Sequence, residues 1–534
     1  MAELIFLQNG KHTSVSAAPQ ETILAAARKA GLLLESPCNG NGTCGKCRIT
    51  LTDACGAKKN VLACTTLAET DATISFIDRA DGHALQIKQD GPVQTFQLDG
   101  AIRKTYLPQQ NRTVVHHFEQ SIAEEVGDTC KEAYGLLVDV GTTTLVAAVV
   151  DLLSGEELAS TGALNPQSRL AQDVLSRIRY ASSANGLAEM QRLLIAELNR
   201  MLDNLTAQSG ILRERIYEVV LSGNTCMLHL AARINPQPLG ASPYTPGTSG
   251  DEYRLASELG LVVSPAAKVY LPPIISAYVG ADITSGLLAT DLAAQRGIQL
   301  FVDIGTNGEI VLAVNGTLSA TSTAAGPAFE GMNISQGMRA APGAIEAFRL
   351  TADGQREVRT IGNQPALGLC GSGLLDVAAQ LVQHKLIGKT GRFNKEAPGL
   401  SSLDGKLTFT VSGDIRLTQQ DVRQLQLAKG AIRSGIEALL AAQNIAASAV
   451  DRVLIAGSFG YHLNEESLLA IGLLPDAFRG KVDFIGNTSK SGAQVLLLSQ
   501  AARRQAAATA ASVSVLELAQ EKDFDKLFVS CLAF

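Results

Sequence analysis

Five of the nine cysteines in this chain lie between residues 38 and 64, and this cluster restricts the fold more than any other feature of the sequence. Four of them, Cys38, Cys44, Cys47 and Cys64, follow the spacing Cys-x5-Cys-x2-Cys-x16-Cys. Three cysteines on one glycine-rich loop can surround a small iron–sulfur cluster, because glycines allow the left-handed turns that bring thiolates together. A distant fourth thiolate is typical of plant-type [2Fe–2S] sites. The spacing therefore predicts a [2Fe–2S] cluster held by these four cysteines.

Two alternatives to this ligand set remain open from the residues. A structural zinc site usually contains two short Cys-x2–4-Cys pairs, and in this segment only Cys44 and Cys47 form one. Cys55 also lies in the cluster, but it follows the predicted strand RITLTD in a predicted turn. We therefore favour iron–sulfur over zinc, and Cys64 over Cys55 as the fourth ligand.

The residues around the cysteines predict a small mixed domain. LIFLQN and KHTSVSA alternate in polarity about Asn9-Gly10, which is typical of a β-hairpin. ETILAAARKAG has helical apolar spacing and ends at Gly31, and RITLT and DATISF are predicted strands. This order resembles the β-grasp ferredoxin fold over residues 1–78, and residues 61–65 resemble the fourth-ligand segment of that family.

Two later segments have the same pattern of hydrophobic strand, Asp-x-Gly-Thr turn and hydrophobic strand. They begin at Asp139 and Asp303, about 160 residues apart, and the repetition suggests a duplicated α/β lobe. The aspartates can hold Mg²⁺ directly or through water, and backbone amides at the glycines can approach phosphate oxygens closely. The residues predicted to bind phosphate, with hydroxyls of the threonines as further donors, are Gly141, Thr142, Thr143, Gly305, Thr306 and Asn307.

A third glycine-rich loop follows the predicted strand 453–455. It places Gly457, Ser458 and Gly460 where an adenosine ring could lie against bare backbone. The three loops together resemble the phosphate-1, phosphate-2 and adenosine motifs of the acetate kinase, sugar kinase, Hsp70 and actin (ASKHA) superfamily, which implies a two-lobed ATPase. Lysine-containing P-loop and Gly-x-Gly-x-x-Gly signatures are absent from the sequence.

Charge and hydropathy exclude several classes of protein. With 45 Lys and Arg against 51 Asp and Glu, the net charge of −6 argues against a surface that binds nucleic acid. No apolar run approaches the roughly 18–20 residues that span a bilayer. The first residues lack the basic and apolar regions of a signal peptide. These features predict a cytoplasmic protein that contacts neither membrane nor nucleic acid.

The motifs divide the chain into four segments. We predict the ferredoxin-like domain at 1–78, a linker region at 79–133, a first ASKHA lobe at 134–299 and a second at 300–534. Mixed charge without periodicity predicts little fixed structure for residues 99–133. The segments 187–205 and 424–443 have the apolar spacing of helices.

A one-electron carrier joined to an ATPase has a thermodynamic rationale. A plant-type [2Fe–2S] centre has a reduction potential of roughly −400 mV. Electron flow from it to an acceptor with a higher potential needs no ATP. ATP therefore implies an acceptor that is harder to reduce than the donor, since about 59 mV changes a one-electron equilibrium tenfold. The complete arrangement of motifs resembles the reductive activators of corrinoid proteins over nearly the whole chain.

That resemblance implies ATP-dependent reduction of a Co(II) corrinoid protein to Co(I), and a homodimer formed through the large domain. The corrinoid itself should belong to the partner, because the nearest approach to a cobalamin-binding motif, at Asp81-Gly82-His83, has Gln86 where glycine is required. The sequence has no flavin or nicotinamide motif, so we expect an external electron donor protein. Asp139 and Asp303 are the expected catalytic residues, and the expected cofactors are [2Fe–2S], ATP and Mg²⁺. A small-molecule kinase with a redox-sensing module and an ATP-switched electron-transfer docking protein remain as alternatives.

Overall fold

The computed structural model describes residues 2–8, 11–32, 34, 36, 40, 42, 46–53, 55–76, 91–92, 96–351, 353–397, 399–403, 405–457 and 463–534. The N-terminal domain contains β1 Ala2–Gln8, β2 Lys11–Ala17, α1 Ile23–Lys29, β3 Arg48–Asp53, β4 Lys58–Leu62 and β5 Ala72–Ser75. Its sheet has the order β2-β1-β5-β3-β4, with β1 parallel to β5 and the other neighbours antiparallel. Helix α1 covers one face of this sheet with Ile23, Leu24, Ala26 and Ala27. The hairpin, helix and strands predicted from the sequence are therefore confirmed.

Residues 99–133 are folded, so our prediction of little fixed structure for them is wrong. It forms an antiparallel sheet of β6 Ile102–Leu107, β7 Arg112–His117 and β8 Gln120–Val126. The charged and polar residues that suggested a solvated linker instead bind the first lobe. Lys104 Nζ donates to the hydroxyl of Tyr217 at 3.0 Å, and His117 Nε2 lies 3.4 Å from Glu218 Oε1.

The first lobe follows this linker sheet. It consists of β9 Tyr134–Val140, β10 Thr144–Asp151, β11 Glu157–Leu164, α2 Val174–Tyr180, α3 Ala184–Ser209, β12 Ile216–Gly223, α4 Thr225–Ala231, β13 Glu252–Leu255, α5 Ala256–Leu259, β14 Lys268–Leu271 and α6 Ala281–Thr290. The strand order is β11-β10-β9-β12-β14-β13, and β12 lies parallel to β9. Helix α3 contains the predicted segment 187–205, and its apolar stripe is buried against the sheet.

The second lobe repeats this arrangement. Its main sheet has the order β25-β24-β15-β16-β17-β26, with β15, β16 and β17 antiparallel and β24 parallel to β15. The elements are β15 Ile298–Ile304, β16 Gly308–Val314, β17 Thr317–Thr323, β18 Ala344–Leu350, β19 Arg356–Thr360, β20 Gly368–Leu369, α7 Gly371–Gln383, β21 Leu400–Leu403, β22 Lys406–Ser412, β23 Ile415–Thr418, α8 Gln419–Ala442, β24 Arg452–Ala456, α9 Glu465–Ala470, β25 Val482–Gly486, α10 Thr488–Leu498, α11 Gln500–Ser512, β26 Ser514–Val515 and α12 Phe524–Ser530. The duplication predicted from the two Asp-x-Gly-Thr segments is thus visible in the topology. Among the described residues, every helix is too short or too polar to cross a bilayer.

The helices α10 and α11 return to the first lobe. Residues 495–498 of α10 pack against Leu137, Val150, Val220 and Tyr270, on the face of the first sheet opposite α3. Helix α10 also packs along α6, so two helices cross between the lobes. The first sheet is therefore covered partly by residues that follow the second sheet in sequence.

A buried ion pair fastens α11 and the linker sheet to the first lobe. Arg503 Nη1 donates to Glu218 Oε1 at 2.9 Å, and both side chains are almost inaccessible. Burial alone would raise the pKa of Glu218, but Arg503 and His117 outweigh it and hold that pKa below its usual value. Glu218 is therefore charged at neutral pH, and its charge depends on Arg503 for compensation.

We expect Arg503→Met to destabilise the first lobe by about 3–5 kcal/mol, because it leaves the Glu218 carboxylate buried without a cation. Thermal denaturation followed by circular dichroism measures this loss. The double variant Arg503→Met, Glu218→Met removes both charges and should recover most of the stability. Equal destabilisation in the single and double variants would contradict this explanation.

Candidate functional site

The Asp-x-Gly-Thr turns of both lobes face one cleft. The cleft has a volume of about 1150 Å³, part of it open to solvent. All the predicted catalytic and phosphate-binding residues line it: Asp139, Gly141, Thr142, Thr143, Asp303, Gly305, Thr306 and Asn307. Residues about 160 positions apart therefore converge, as the repeated motif predicted.

The first turn, between β9 and β10, is held from behind by the lobe itself. Asn165 Nδ2 donates to the carbonyl of Gly141 at 2.8 Å, and Arg177 Nη2 donates to that of Thr142 at 2.6 Å. A Cβ on Gly141 would lie only 2.5 Å from the carbonyl oxygen of Thr144. Glycine is therefore needed at residue 141 for the turn to close.

The second turn meets the first across the cleft. The hydroxyls of Thr143 and Thr306 lie 3.3 Å apart, and Thr306 donates to Glu330 Oε1 at 2.6 Å. Because the Thr306 proton goes to Glu330, the bond between the two hydroxyls runs from Thr143 to Thr306. At Gly305 a Cβ would meet only the Asn307 carbonyl, at an ordinary 3.5 Å. Any strict need for glycine at residue 305 must come from a ligand.

Replacing Gly141 and replacing Gly305 by alanine should have different effects. We expect Gly141→Ala to lower the stability of the first lobe by about 1–3 kcal/mol through overpacking. Gly305→Ala should change stability by less than about 0.5 kcal/mol. It should weaken Mg-ATP binding about tenfold, because the methyl group would hold a phosphate oxygen away from the backbone amide and so cost one hydrogen bond. Thermal denaturation and titration calorimetry separate the two effects. Equal melting temperatures, or unchanged nucleotide affinity in Gly305→Ala, would contradict this assignment.

Four carboxyl groups line the cleft together. Asp139 and Asp303 are joined there by Asp282, in the first turn of α6, and Glu309, on β16. Burial, reinforced by the charges of Asp282 and Asp139, raises the pKa of Asp303 to about 8. Burial and Asp139 raise the pKa of Asp282 to about 7, and burial with the neighbouring aspartates raises that of Glu309. The cluster is therefore short of positive charge.

Asp139 differs from the other three acids because the second half of the chain binds it. Asn487 Nδ2 and Ser489 Oγ, at the start of α10, donate to its two carboxylate oxygens at 2.8 Å each. Burial raises the pKa of Asp139, and these two hydrogen bonds oppose that rise. Helix α10 thereby fixes the direction of the Asp139 carboxylate.

Sequence reasoning missed several of these side chains. It assigned no role to Asp282, Glu309, Glu330, Asn487 or Ser489, all of which line the cleft. Glu309 stands three residues after Thr306 of the second Asp-x-Gly-Thr turn, so its charge was an available signal. Asp282, Asn487 and Ser489 stand at helix starts without a distinctive local pattern, and only the packing of α6 along α10 brings them to the cleft.

The third predicted loop is described only at its first residue. Gly457 follows β24, lines the cleft and has a φ of 124°. Ser458 and Gly460 lie outside the described residues. Cys370 and Gly371, at the start of α7, line the cleft as well.

The described cysteines of the N-terminal cluster separate into two groups. The Ala63 amide donates to the Cys47 carbonyl at 2.8 Å, which places Cys64 beside Cys47, and both cysteines are buried. A Cβ on Gly40, whose φ is 88°, would lie 3.9 Å from the Cβ of Cys64. Cys55 is exposed in the turn at the other end of the β3–β4 hairpin. The six residues of β3 separate it from Cys47, roughly 20 Å at about 3.3 Å per residue.

The remaining two predicted ligands, Cys38 and Cys44, lie outside the described residues. Gly42 beside them is described, and its φ of 73° is the left-handed geometry that the cysteine loop was predicted to use.

Comparisons with known proteins agree across the chain. Family models match at residues 6–69 (2Fe-2S iron-sulfur cluster binding domain), 134–295 (RACo middle region) and 297–534 (C-terminal domain of RACo, the ASKHA domain). The Corrinoid activation enzyme RamQ of Eubacterium limosum is 30% identical, over 88% of this chain and 89% of that protein. A [Co(II) methylated amine-specific corrinoid protein] reductase of Methanosarcina barkeri is 25% identical over 68% and 70%.

A solved structure extends this similarity to the fold. The reductive activator for corrinoid,iron-sulfur protein has 30% identity and a TM-score of 0.77, covering 100% of this chain and 98% of its own. An N-terminal ferredoxin-type domain followed by a two-lobed ASKHA domain, as predicted from the motifs, is thereby shown.

Proposed function

Because this chain belongs to the family of ATP-dependent reductive activators of corrinoid proteins, we propose that it passes an electron through its N-terminal cluster to a Co(II) corrinoid protein. The product is the Co(I) state, which accepts methyl groups. ATP and water become ADP and phosphate in the cleft. The electron comes from a separate donor protein.

The N-terminal thiols fit a [2Fe–2S] cluster. Cys47 and Cys64 are both buried, and the amide of Ala63, next to Cys64 in the chain, donates to the Cys47 carbonyl. Cys38 and Cys44 follow from the spacing as the other two ligands. The exposed position of Cys55 supports Cys64 as the fourth ligand. Such a cluster supplies one-electron transfer when bound. The chain contributes thiolates and the glycine-rich backbone around them, whose amides stabilise negative charge on the sulfides.

Different residues of the cleft bind the triphosphate and the adenosine of ATP in this proposal. We assign the triphosphate to the backbone and hydroxyls of Gly141, Thr142, Thr143, Gly305, Thr306 and Asn307, and the adenosine to Gly457, Ser458 and Gly460. Opposed hydroxyls at Thr143 and Thr306 support a phosphate bound between the lobes. Asp139 and Asp303 position the metal or the attacking water, and Asn487 and Ser489 orient Asp139.

The acidic base of the cleft supports Mg²⁺ as the companion of ATP. Its raised carboxyl pKa values indicate a cluster that a divalent cation would stabilise. Among the described residues, no three His, Cys, Asp or Glu side chains converge closely enough to ligate one ion directly. That fits Mg²⁺, which usually keeps several waters and is bound by one or two carboxylates together with substrate phosphates.

Further partners belong to the same proposal. We propose a homodimer, and a target whose own domain holds the corrinoid. The observation that carries the whole proposal is the presence, in one chain, of paired buried thiols and a two-lobed acidic cleft.

The test is made in one anaerobic cuvette containing purified protein, a chemical reductant, Mg-ATP and a candidate Co(II) corrinoid protein. Visible spectroscopy should show Co(I) only when ATP is present. Full reduction with a non-hydrolysable analogue would indicate an ATP-switched docking protein instead. Phosphorylation of an added metabolite without cobalt reduction would indicate a kinase.

A further inference from the structure

Lys46 joins the N-terminal domain to the second lobe. Its Nζ donates to the carbonyl oxygen of Gly337 at 2.5 Å, across 291 positions of the sequence. Lys46 stands between Cys44 and Cys47 in the chain. The loop that we assign to the cluster therefore touches the second lobe at Gly337.

Gly337 belongs to a loop that begins and ends in the nucleotide cleft. We call residues 330–339 the connector loop, because both Glu330 and Arg339 line the cleft. Its backbone is tightly packed, since a Cβ on Gly337 would lie 2.1 Å from the carbonyl oxygen of Gly331. Residues 331 and 337 therefore lie in close backbone contact, so a displacement of Gly331 would press on Gly337.

The rest of the protein also holds this loop, at residues that include Ser335 and Met338. The backbone amide and hydroxyl of Ser335 each donate to Asp421 at 2.6 Å, and the Met338 amide donates to the Leu369 carbonyl at 2.7 Å. These contacts order the surface against which Lys46 docks.

Two buried acceptors show that this conformation leaves hydrogen bonds unmade. Glu330 Oε2 and Asn333 Oδ1 have no hydrogen-bond partner in the described part of the chain. Asn333 also has a φ of 60°. Buried groups of this kind cost free energy, so a conformation of the loop that pairs them would recover part of that cost.

Phosphate binding acts on the same loop through Thr306. The Thr306 hydroxyl donates to Glu330, but a phosphate oxygen beside Thr306 would require that proton. Glu330 would then lose its donor and face a like charge. Since like charges repel each other, Glu330 should move and carry Gly331 and Gly337 with it.

We propose that the connector loop is the docking surface of the N-terminal domain at Lys46, and that ATP binding at Thr306 releases Lys46 from Gly337. This rests on the ATP site proposed above and adds the element that links it to the cluster. Docking and nucleotide binding then oppose each other, and by linkage each weakens the other equally.

Hydrogen–deuterium exchange of the full, cluster-loaded chain tests this, with and without a non-hydrolysable Mg-ATP analogue. In the wild type, peptides covering 46–53 and 331–341 should exchange about fivefold faster with nucleotide, the lower end of typical coupling. Lys46→Met should show fast exchange in both peptides without nucleotide and should bind the analogue about fivefold more tightly. Lys46→Arg, which keeps a donor, should behave as the wild type.

Two other variants test the role of the Glu330 charge and provide a control. Glu330→Gln removes the like charge, so it should bind nucleotide without loosening residues 46–53. Lys58→Met, an exposed lysine on β4, is the matched control and should respond normally. If calorimetry shows nucleotide binding but neither peptide responds, the connector proposal is wrong and the proposed function stands. Absence of nucleotide binding would overturn both.

Discussion

Replacing Asp303 by asparagine is expected to reduce ATP hydrolysis by about 10²–10⁴-fold, the range for loss of a positioned acid–base group. The iron–sulfur absorption should be unchanged, because the cysteines lie in a separate domain with its own core. ATP-dependent formation of Co(I) should disappear with the hydrolysis. Phosphate release and visible spectra of the same preparation measure both properties, and Asp525→Asn, an exposed aspartate on α12, is the control. Retained ATP turnover would remove Asp303 from the catalytic residues.

The same variant should be more stable than the wild type without nucleotide. Burial and neighbouring carboxylates raise the pKa of Asp303 from 3.8 to about 8. Above pH 4 the unfolded chain ionises at this residue while the folded protein stays protonated, so the wild type loses stability until about pH 8. Asparagine has no such dependence. The difference in melting temperature should therefore grow from pH 4 to pH 8, and a constant difference would contradict the raised pKa.

Replacing Cys64 by serine is expected to abolish the iron–sulfur absorption after anaerobic reconstitution, whereas Cys55→Ser should retain it. Cys64 lies buried beside Cys47, and Cys55 is exposed at the far end of the hairpin. Cys44→Ala should also lose the cluster. All three variants should bind nucleotide as the wild type does, since the cleft is built from the other lobes. Loss of colour in Cys55→Ser with retention in Cys64→Ser would exchange the two assignments.

Local sequence patterns predicted the parts of the site that the chain builds within a few residues. Strand, tight turn and strand repeat around Asp139 and Asp303, so both turns and their glycines were recognisable. Asp282 and Asn487 reach the cleft only because α6 packs along α10, and no short pattern encodes a contact between residues 205 positions apart. The prediction of little fixed structure for residues 99–133 was wrong for a related reason. Lys104 and His117 suggested solvent exposure, although partners in the first lobe bind both of them.

The path of α10 has a consequence for how the protein is made. The face of the first sheet that contains Leu137 and Tyr270 is covered by residues 495–498. A ribosome that adds about 5–20 residues per second needs roughly ten to fifty seconds to go from Tyr270 to residues 495–498. During that interval the nascent chain carries an uncovered apolar face, so co-translational folding of this half must wait for the last helices or rely on a chaperone.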